Sequence, residues 1–256
     1  MIDKWKLALK EFLKKYEEDE MVVGAVLYDS YALGIQNEYS NIKVYLVLKD
    51  GANYKEKGFF DSNSYLTEYI MEPVSKIKDT IKNEFDNGYL TTAKIFAYGK
   101  VIYDLDDSVK ELSNISLDYI DSNLKVISSD KVNYNNYHIW NYLNELKSNL
   151  KENNMQFNLT YYKLLDMVFN SYLEYLGVPK LKEDEIYKVL TDYEYRRKCH
   201  IYKLPEEEFI KLYLNCFKLD KASTMLKNIE SLVNYYYKKE GGFNIRVFVT
   251  REDFDI

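Results

Sequence analysis

Short apolar runs alternate with amphipathic stretches over the first 115 residues of the chain. Several of these runs have the length of strands and are bounded by turn or stop residues such as Gly51 and Pro73. They are residues 21–28, 42–48, 65–71 and 101–104. The segments at 3–19 and 75–85 instead place apolar residues at helical spacing, with charged residues between them. The pattern predicts an N-terminal α+β domain at 1–115, with a mixed sheet and flanking helices.

Beyond about residue 116 the apolar pattern is helical throughout. Between Ile139 and Leu150, apolar residues recur at intervals of three and four. Further helices are predicted at 162–176, 182–203, 205–218 and 221–239. Antiparallel helices joined by short loops form a bundle. We therefore predict a helical bundle domain at 116–256.

The charge and composition of the chain bear on whether it binds nucleic acid or a membrane. The 256 residues carry 35 Lys and Arg against 41 Asp and Glu, a net charge of −6. Proteins that bind nucleic acid or an anionic membrane concentrate positive charge, so neither partner is expected. No apolar run approaches the roughly 20 residues that cross a bilayer, and the charged N-terminal segment lacks the pattern of a signal peptide. The expected location is cytoplasmic.

Cysteine and histidine do not predict a metal centre. The chain has two of each, and only Cys199 and His200 are adjacent. A structural zinc site needs about four ligands, commonly Cys and His at short spacing. Neither a zinc site nor a disulfide framework is therefore predicted.

The segment 22–48 carries the most specific pattern. An apolar strand runs into a tight turn at 29–34, and after a polar loop a second strand begins at 41–43. This frame resembles the active-site signature of the nucleotidyltransferase superfamily. The small residues Ser30, Ala32 and Gly34 match the Gly-Ser-x-Ala-x-Gly turn of the aminoglycoside- and lincosamide-type enzymes, and 40–43 is similar to their Ser-Asp-x-Asp.

Two later segments extend the resemblance. Glu68, followed by Pro73, resembles the third acid of the family on a later strand. The segment GKVIYD at 99–104 looks like the stretch that closes the family's sheet domain. The layout of a sheet domain followed by a helical bundle is also that of the family.

At the positions that bind the metal and the triphosphate in the family, this chain has other residue types. The resemblance implies two acids at i and i+2 that share a strand face and hold two Mg²⁺ ions, with the third acid orienting the nucleophile. Here Asn41 and Lys43 stand at the two metal positions, and Asp29 stands where the family has Gly. An ammonium at Lys43 would repel a metal ion, and Asp29 adds a side chain and negative charge where a triphosphate would approach.

These departures leave several hypotheses open. The first is a pseudoenzyme that binds a nucleotide, a small ligand or a protein partner in the cleft between the domains, with Asp29, Ser30, Asn41 and Lys43 as ligand-binding residues. In it Lys43 either holds phosphate directly or is a solvated strand-end lysine. The second is an active Mg²⁺-dependent transferase that uses Asp29 and Glu68 to adenylylate a small hydroxylated molecule such as an antibiotic. The third is a protein-interaction module, such as a toxin–antitoxin partner or a homodimer. No cofactor is predicted except Mg²⁺ under the second hypothesis.

The roles of Glu72 and of the cluster at 193–197 have two interpretations each. Glu72 shares a strand face with Glu68 and is the alternative third acid if the register differs. The cluster of Tyr and Arg at 193–197 suits contact with a phosphate or an acidic partner, and an exposed helix face explains it equally well.

Overall fold

The computed structural model describes residues 3–122, 124, 127–153, 155–218 and 220–249. The chain divides into two compact units. The sheet unit comprises Met1–Asn123 together with Tyr193–Ile201, and the helical unit comprises Leu124–Asp192 together with Tyr202–Ile256.

The sheet unit contains all five strands of the described residues. They are β1 (Val22–Tyr28), β2 (Ile42–Leu48), β3 (Glu56–Ser62), β4 (Tyr65–Pro73) and β5 (Lys100–Asp104). The helices of this unit before residue 122 are α1 (Lys4–Lys14), α2 (Ser30–Leu33), α3 (Val74–Asp86), α4 (Thr91–Tyr98) and α5 (Ser108–Asp121). The helices after residue 128 are α6 (Ser129–Lys151), α7 (Phe157–Leu176), α8 (Ile186–Thr191), α9 (Tyr193–Lys198), α10 (Glu207–Asn215) and α11 (Ala222–Lys239). Of these later helices only α9 belongs to the sheet unit.

The five strands form one mixed sheet in the order β3-β4-β2-β1-β5. β2 and β4 are parallel, whereas β1 pairs antiparallel with β2 and β5, and β3 pairs antiparallel with β4. The central position of β1 and β2 explains their continuous apolar sequences, because helices cover both of their faces. All residues of β1 are buried.

Different helices cover the two faces of the sheet. On one face α1 contributes Phe12, which is fully buried among residues of β1, β2 and β4. On the other face Ile77 of α3, Phe96 of α4 and Val109 of α5 pack with the alternate residues of the same strands. We refer to this second face as the α3–α5 face, and it positions the candidate site.

The helical unit has its own apolar core. α6, α7, α10 and α11 contribute most of the buried residues. The hydroxyl of Ser128 caps α6 by accepting a hydrogen bond from the Lys131 amide at 3.2 Å, and α7 ends at Gly177 in the left-handed conformation, with φ 63°. No helix among the described residues combines the length and the apolar character needed to cross a membrane.

The predicted α+β class is confirmed: a mixed sheet with flanking helices is followed by a mainly helical part. The strands predicted at 42–48 and 65–71 appear as β2 and β4. The single helix predicted at 182–203 is wrong, because the chain becomes extended at Asp192, with φ −114° and ψ 111°, between α8 and α9. Thr and Asp both have low helix propensity, which favours a break at Thr191-Asp192. The domain boundary predicted at 115/116 falls inside α5 and stays a prediction.

The hairpin β3–β4 was not predicted from the sequence. Its two-residue turn, Asn63-Ser64, has positive φ at both positions, 52° and 67°, as in a type I′ turn. The Asn63 amide donates to the Glu11 carboxylate at 3.0 Å, and the Ser62 hydroxyl also donates to it, so α1 anchors the turn. β3 escapes detection because it is an edge strand with mostly exposed, polar residues.

Candidate functional site

The turn after β1 has an unusual backbone. Asp29 has φ 62° and ψ −146°, the mirror image of an extended conformation, which glycine enters readily and other residues rarely adopt. Ser30 follows as the first residue of α2, and the helix ends at Gly34 in the left-handed conformation, with φ 67°. Position 29 therefore has a backbone conformation that favours glycine while the residue is an aspartate.

Asp29 forms an ion pair with Lys43. The Lys43 Nζ donates to the Asp29 Oδ2 at 2.7 Å, across the antiparallel pair of β1 and β2. The side chain of Lys43 is 30% exposed and that of Asp29 is 35% exposed, so the pair lies at the border between the sheet and solvent. Asn41 is half-buried and directly precedes β2, two residues from Lys43.

Lys43 is the centre of a row of side chains that crosses four strands. It pairs with Tyr28 of β1 and with Glu68 of β4, and Glu68 in turn pairs with Phe59 of β3. Directly paired residues point to the same sheet face, here the α3–α5 face. We call Tyr28, Lys43, Glu68 and Phe59 the cross-strand row. The structure thus places Lys43 and Glu68 at directly paired positions on adjacent strands.

Asp29 and Glu68 both influence the ionisation of the Tyr28 hydroxyl. Burial raises the pKa of the Tyr28 hydroxyl well above its usual value, and the carboxylates of Glu68 and Asp29 raise it further. A negative charge disfavours ionisation of a nearby phenol in proportion to its proximity. Asp29 directly follows Tyr28 in the chain, and Glu68 is paired with Lys43 on the other side, so the two acids flank the Lys43 strand position.

Phe59 is a residue of the row that sequence analysis missed, as it missed Tyr28. Its side chain is 63% exposed, although it lies on a sheet face whose next rows are covered by helices. Adjacent strands are about 4.8 Å apart, so the backbones at Phe59 and Lys43 are separated by roughly 10 Å. The Asn63 turn signal could have revealed β3, and the alternation along that strand would then have placed Phe59 beside Glu68.

The residues at the family's metal positions and beside them do not fit the Mg²⁺ ions that the resemblance implies. Mg²⁺ needs carboxylate oxygens in near-octahedral geometry. Here the ammonium of Lys43 lies against Asp29, and Asn41 offers only a neutral oxygen. Among the described residues, no group of three or more His, Cys, Asp or Glu side chains is arranged to hold a metal ion.

Glu72, the alternative third acid, has a different environment from Glu68. Its carboxylate accepts hydrogen bonds from the Tyr45 hydroxyl and the Lys55 ammonium, both at 2.6 Å, and Thr80 lies 3.5 Å away. Glu72 is only 4% exposed, whereas Glu68 is half-buried at the open end of the face. The carboxylate of Glu72 is therefore occupied by hydrogen bonds within the protein.

The basic cluster at 193–197 lies in α9, which packs on the sheet unit. The Lys198 Nζ donates to the carbonyl of Gly34 at 3.2 Å, and the rings of His200 and Tyr98 stack with centroids 3.8 Å apart. Arg197 pairs with Glu194 on the same helix at 2.7 Å. The segment therefore supports the end of the α2 turn. Its contact with a phosphate or an acidic partner stays a prediction.

The backbone at position 29 leads to a prediction about stability. We expect Asp29→Gly to be about 1 kcal/mol more stable than Asp29→Ala, because glycine relieves the strain of this conformation. Both variants remove the ion pair with Lys43, so their difference isolates the backbone effect. Urea denaturation of the two variants measures it. Equal stability, or a more stable alanine variant, would contradict the assigned conformation.

No family model matches the chain. No curated protein matches it either. Among solved structures, it is similar to a nucleotidyltransferase-like protein from Exiguobacterium sibiricum, with a TM-score of 0.47 and 8% identity over 93% of this chain and 77% of that one.

Proposed function

We propose that this protein is a nucleotidyltransferase-like pseudoenzyme that binds a nucleotide without a divalent metal. The observation that carries the proposal is the ion pair between Lys43 and Asp29 at 2.7 Å, with Glu68 paired to Lys43 on the next strand. Lys43 supplies a positive charge beside Asp29 and on the strand next to Glu68, where the family would hold a metal ion. An ammonium is also a phosphate-binding group.

The proposed ligand replaces the carboxylate of Asp29 at Lys43. The ion pair is partly exposed, and pairs of this kind contribute only about 0–1 kcal/mol. A phosphate that displaces Asp29 therefore overcomes a small cost. The exposed ring of Phe59, on the same row, offers a stacking surface for a base. Ser30 and Asn41 are the adjoining polar groups of the site.

The first experiment is calorimetric titration with ATP and GTP, each with Mg²⁺ and with EDTA. We expect binding that is unaffected by EDTA. Lys43→Ala should weaken it by about 10- to 100-fold, the range for a lost charged hydrogen bond. Asp29→Asn should strengthen it by up to about fivefold, since the competing negative charge is removed.

The matched control is Lys110→Ala. Lys110 is an exposed lysine of the same unit and is also paired with an aspartate, Asp107, at 3.3 Å. This variant should bind as the wild type does. Equal losses in Lys43→Ala and Lys110→Ala would contradict the proposed role of Lys43, because they would reflect net charge alone.

The titration also distinguishes the pseudoenzyme proposal from the transferase and protein-interaction hypotheses. The transferase hypothesis needs two acids, Asp29 and Glu68: Asp29 contacts Lys43, and Glu68 is paired with Lys43 on the next strand. Binding that requires Mg²⁺ and is lost in Glu68→Ala would overturn the pseudoenzyme proposal in favour of that hypothesis. No binding in any condition would overturn nucleotide binding and leave a protein-interaction module, to be tested by pull-down and light scattering.

A further inference from the structure

A groove in the helical unit has no role in the proposed nucleotide site. It lies between α7, α8 and α10 and has a cavity volume of about 640 Å³, within the range of about 300–1,000 Å³ typical of small-molecule pockets. All of its lining residues belong to the helical unit.

The walls of this groove are mainly aromatic and aliphatic. Tyr162, Tyr187 and Phe217 line it and are 45%, 67% and 46% exposed, and Leu159 at its edge is also exposed. Exposed aromatic side chains in a concave surface mark binding sites more often than scattered ones do. Such rings bind apolar groups, and their faces attract cations.

Two acids and a buried phenol meet in the same groove. Burial raises the pKa of Asp166, and the nearby carboxylate of Glu183 raises it further. The pKa of the Tyr213 hydroxyl is also raised, first by burial and then by Asp166, with a further contribution from Glu183. All three groups line the groove, so the carboxylates of Asp166 and Glu183 share one cavity and repel one another.

Neighbouring polar groups only partly relieve this repulsion. Asn170 donates to the Asp166 carboxylate at 2.8 Å, and Lys180 lowers the pKa of Asp166. The net shift is nonetheless upward, so burial and Glu183 outweigh them. Lys163 is the single basic residue that lines the groove, against two acids.

We propose that this groove binds an apolar organic cation, such as an alkyl or aryl ammonium compound. The aromatic walls would cover the apolar part, and the ammonium would lie near Asp166 and Glu183, where it cancels their repulsion. An anion would be repelled by both carboxylates, and a neutral ligand would not reduce the repulsion between them. The proposal is independent of nucleotide binding at Lys43.

Calorimetry with phenethyltrimethylammonium tests it, with the neutral isostere in which carbon replaces nitrogen as the comparison ligand. We expect the cation to bind at least tenfold more tightly than the isostere. The double variant Asp166→Asn/Glu183→Gln should remove most of this preference. Tyr187→Ala should weaken the binding of both ligands.

Two matched variants serve as controls. Asp184→Asn changes an exposed acid next to Glu183 that does not line the groove, and Tyr202→Ala removes a tyrosine that is 91% exposed. Neither should alter affinity. Equal binding of cation and isostere, binding of neither, or equal losses in the control variants would each overturn the proposal.

Discussion

Replacing Phe209 by alanine is expected to lower the free energy of unfolding of the helical unit by about 3–5 kcal/mol, the range for a fully buried aromatic residue. The side chain is fully buried. Its ring centroid lies 3.5 Å from that of Tyr172, and Phe169 and Tyr213 are further ring neighbours. Truncation removes the buried area of the ring and its aromatic contacts together.

The chain offers a reporter for each unit. Of its two tryptophans, Trp5 lies in α1 of the sheet unit and Trp140 in α6 of the helical unit. In a Trp5→Phe background, the fluorescence of Trp140 during urea denaturation follows the helical unit alone. Phe209→Leu should lose clearly less than Phe209→Ala, because it retains part of the apolar volume. A loss below about 1 kcal/mol in Phe209→Ala would mean that the ring is not enclosed as described.

The second large effect is expected at Glu72. Glu72→Ala should destabilise the sheet unit by about 2–4 kcal/mol, because it leaves the buried Tyr45 hydroxyl without its acceptor and removes the partner of Lys55. Glu68→Ala should cost less than about 1 kcal/mol, since Glu68 is half-buried at the open end of the same face. Trp5 fluorescence in a Trp140→Phe background measures both.

This comparison assigns different roles to two acids on one strand face. A large loss confined to Glu72→Ala identifies Glu72 as structural and leaves Glu68 available to a ligand. Equal losses in the two variants would contradict that assignment. Adding Tyr45→Phe should reduce the loss of stability caused by Glu72→Ala, because the double variant has no buried Tyr45 hydroxyl left without an acceptor.

The sequence predicts the central part of the sheet well. β2 has the predicted bounds and β1 differs by one residue, because buried strands read as unbroken apolar runs. β3 was missed because an edge strand has little apolar pattern, and its two-residue turn uses Asn-Ser in place of the usual Asn-Gly.

The candidate site was predictable only in part. The resemblance to the nucleotidyltransferases implies a shared location for Asn41, Lys43 and Glu68. The ion pair of Lys43 with Asp29 was not predictable, since it joins residues 14 positions apart. Phe59 was missed together with β3.

The place of α9 has a consequence for biosynthesis. The sheet unit takes its last segment from Tyr193–Ile201, which follows α6, α7 and α8 of the helical unit. Domains generally fold from the N-terminus during translation. Here the N-terminal unit cannot be completed until most of its neighbour has already been synthesised, so the two units cannot fold in strict succession as the chain emerges.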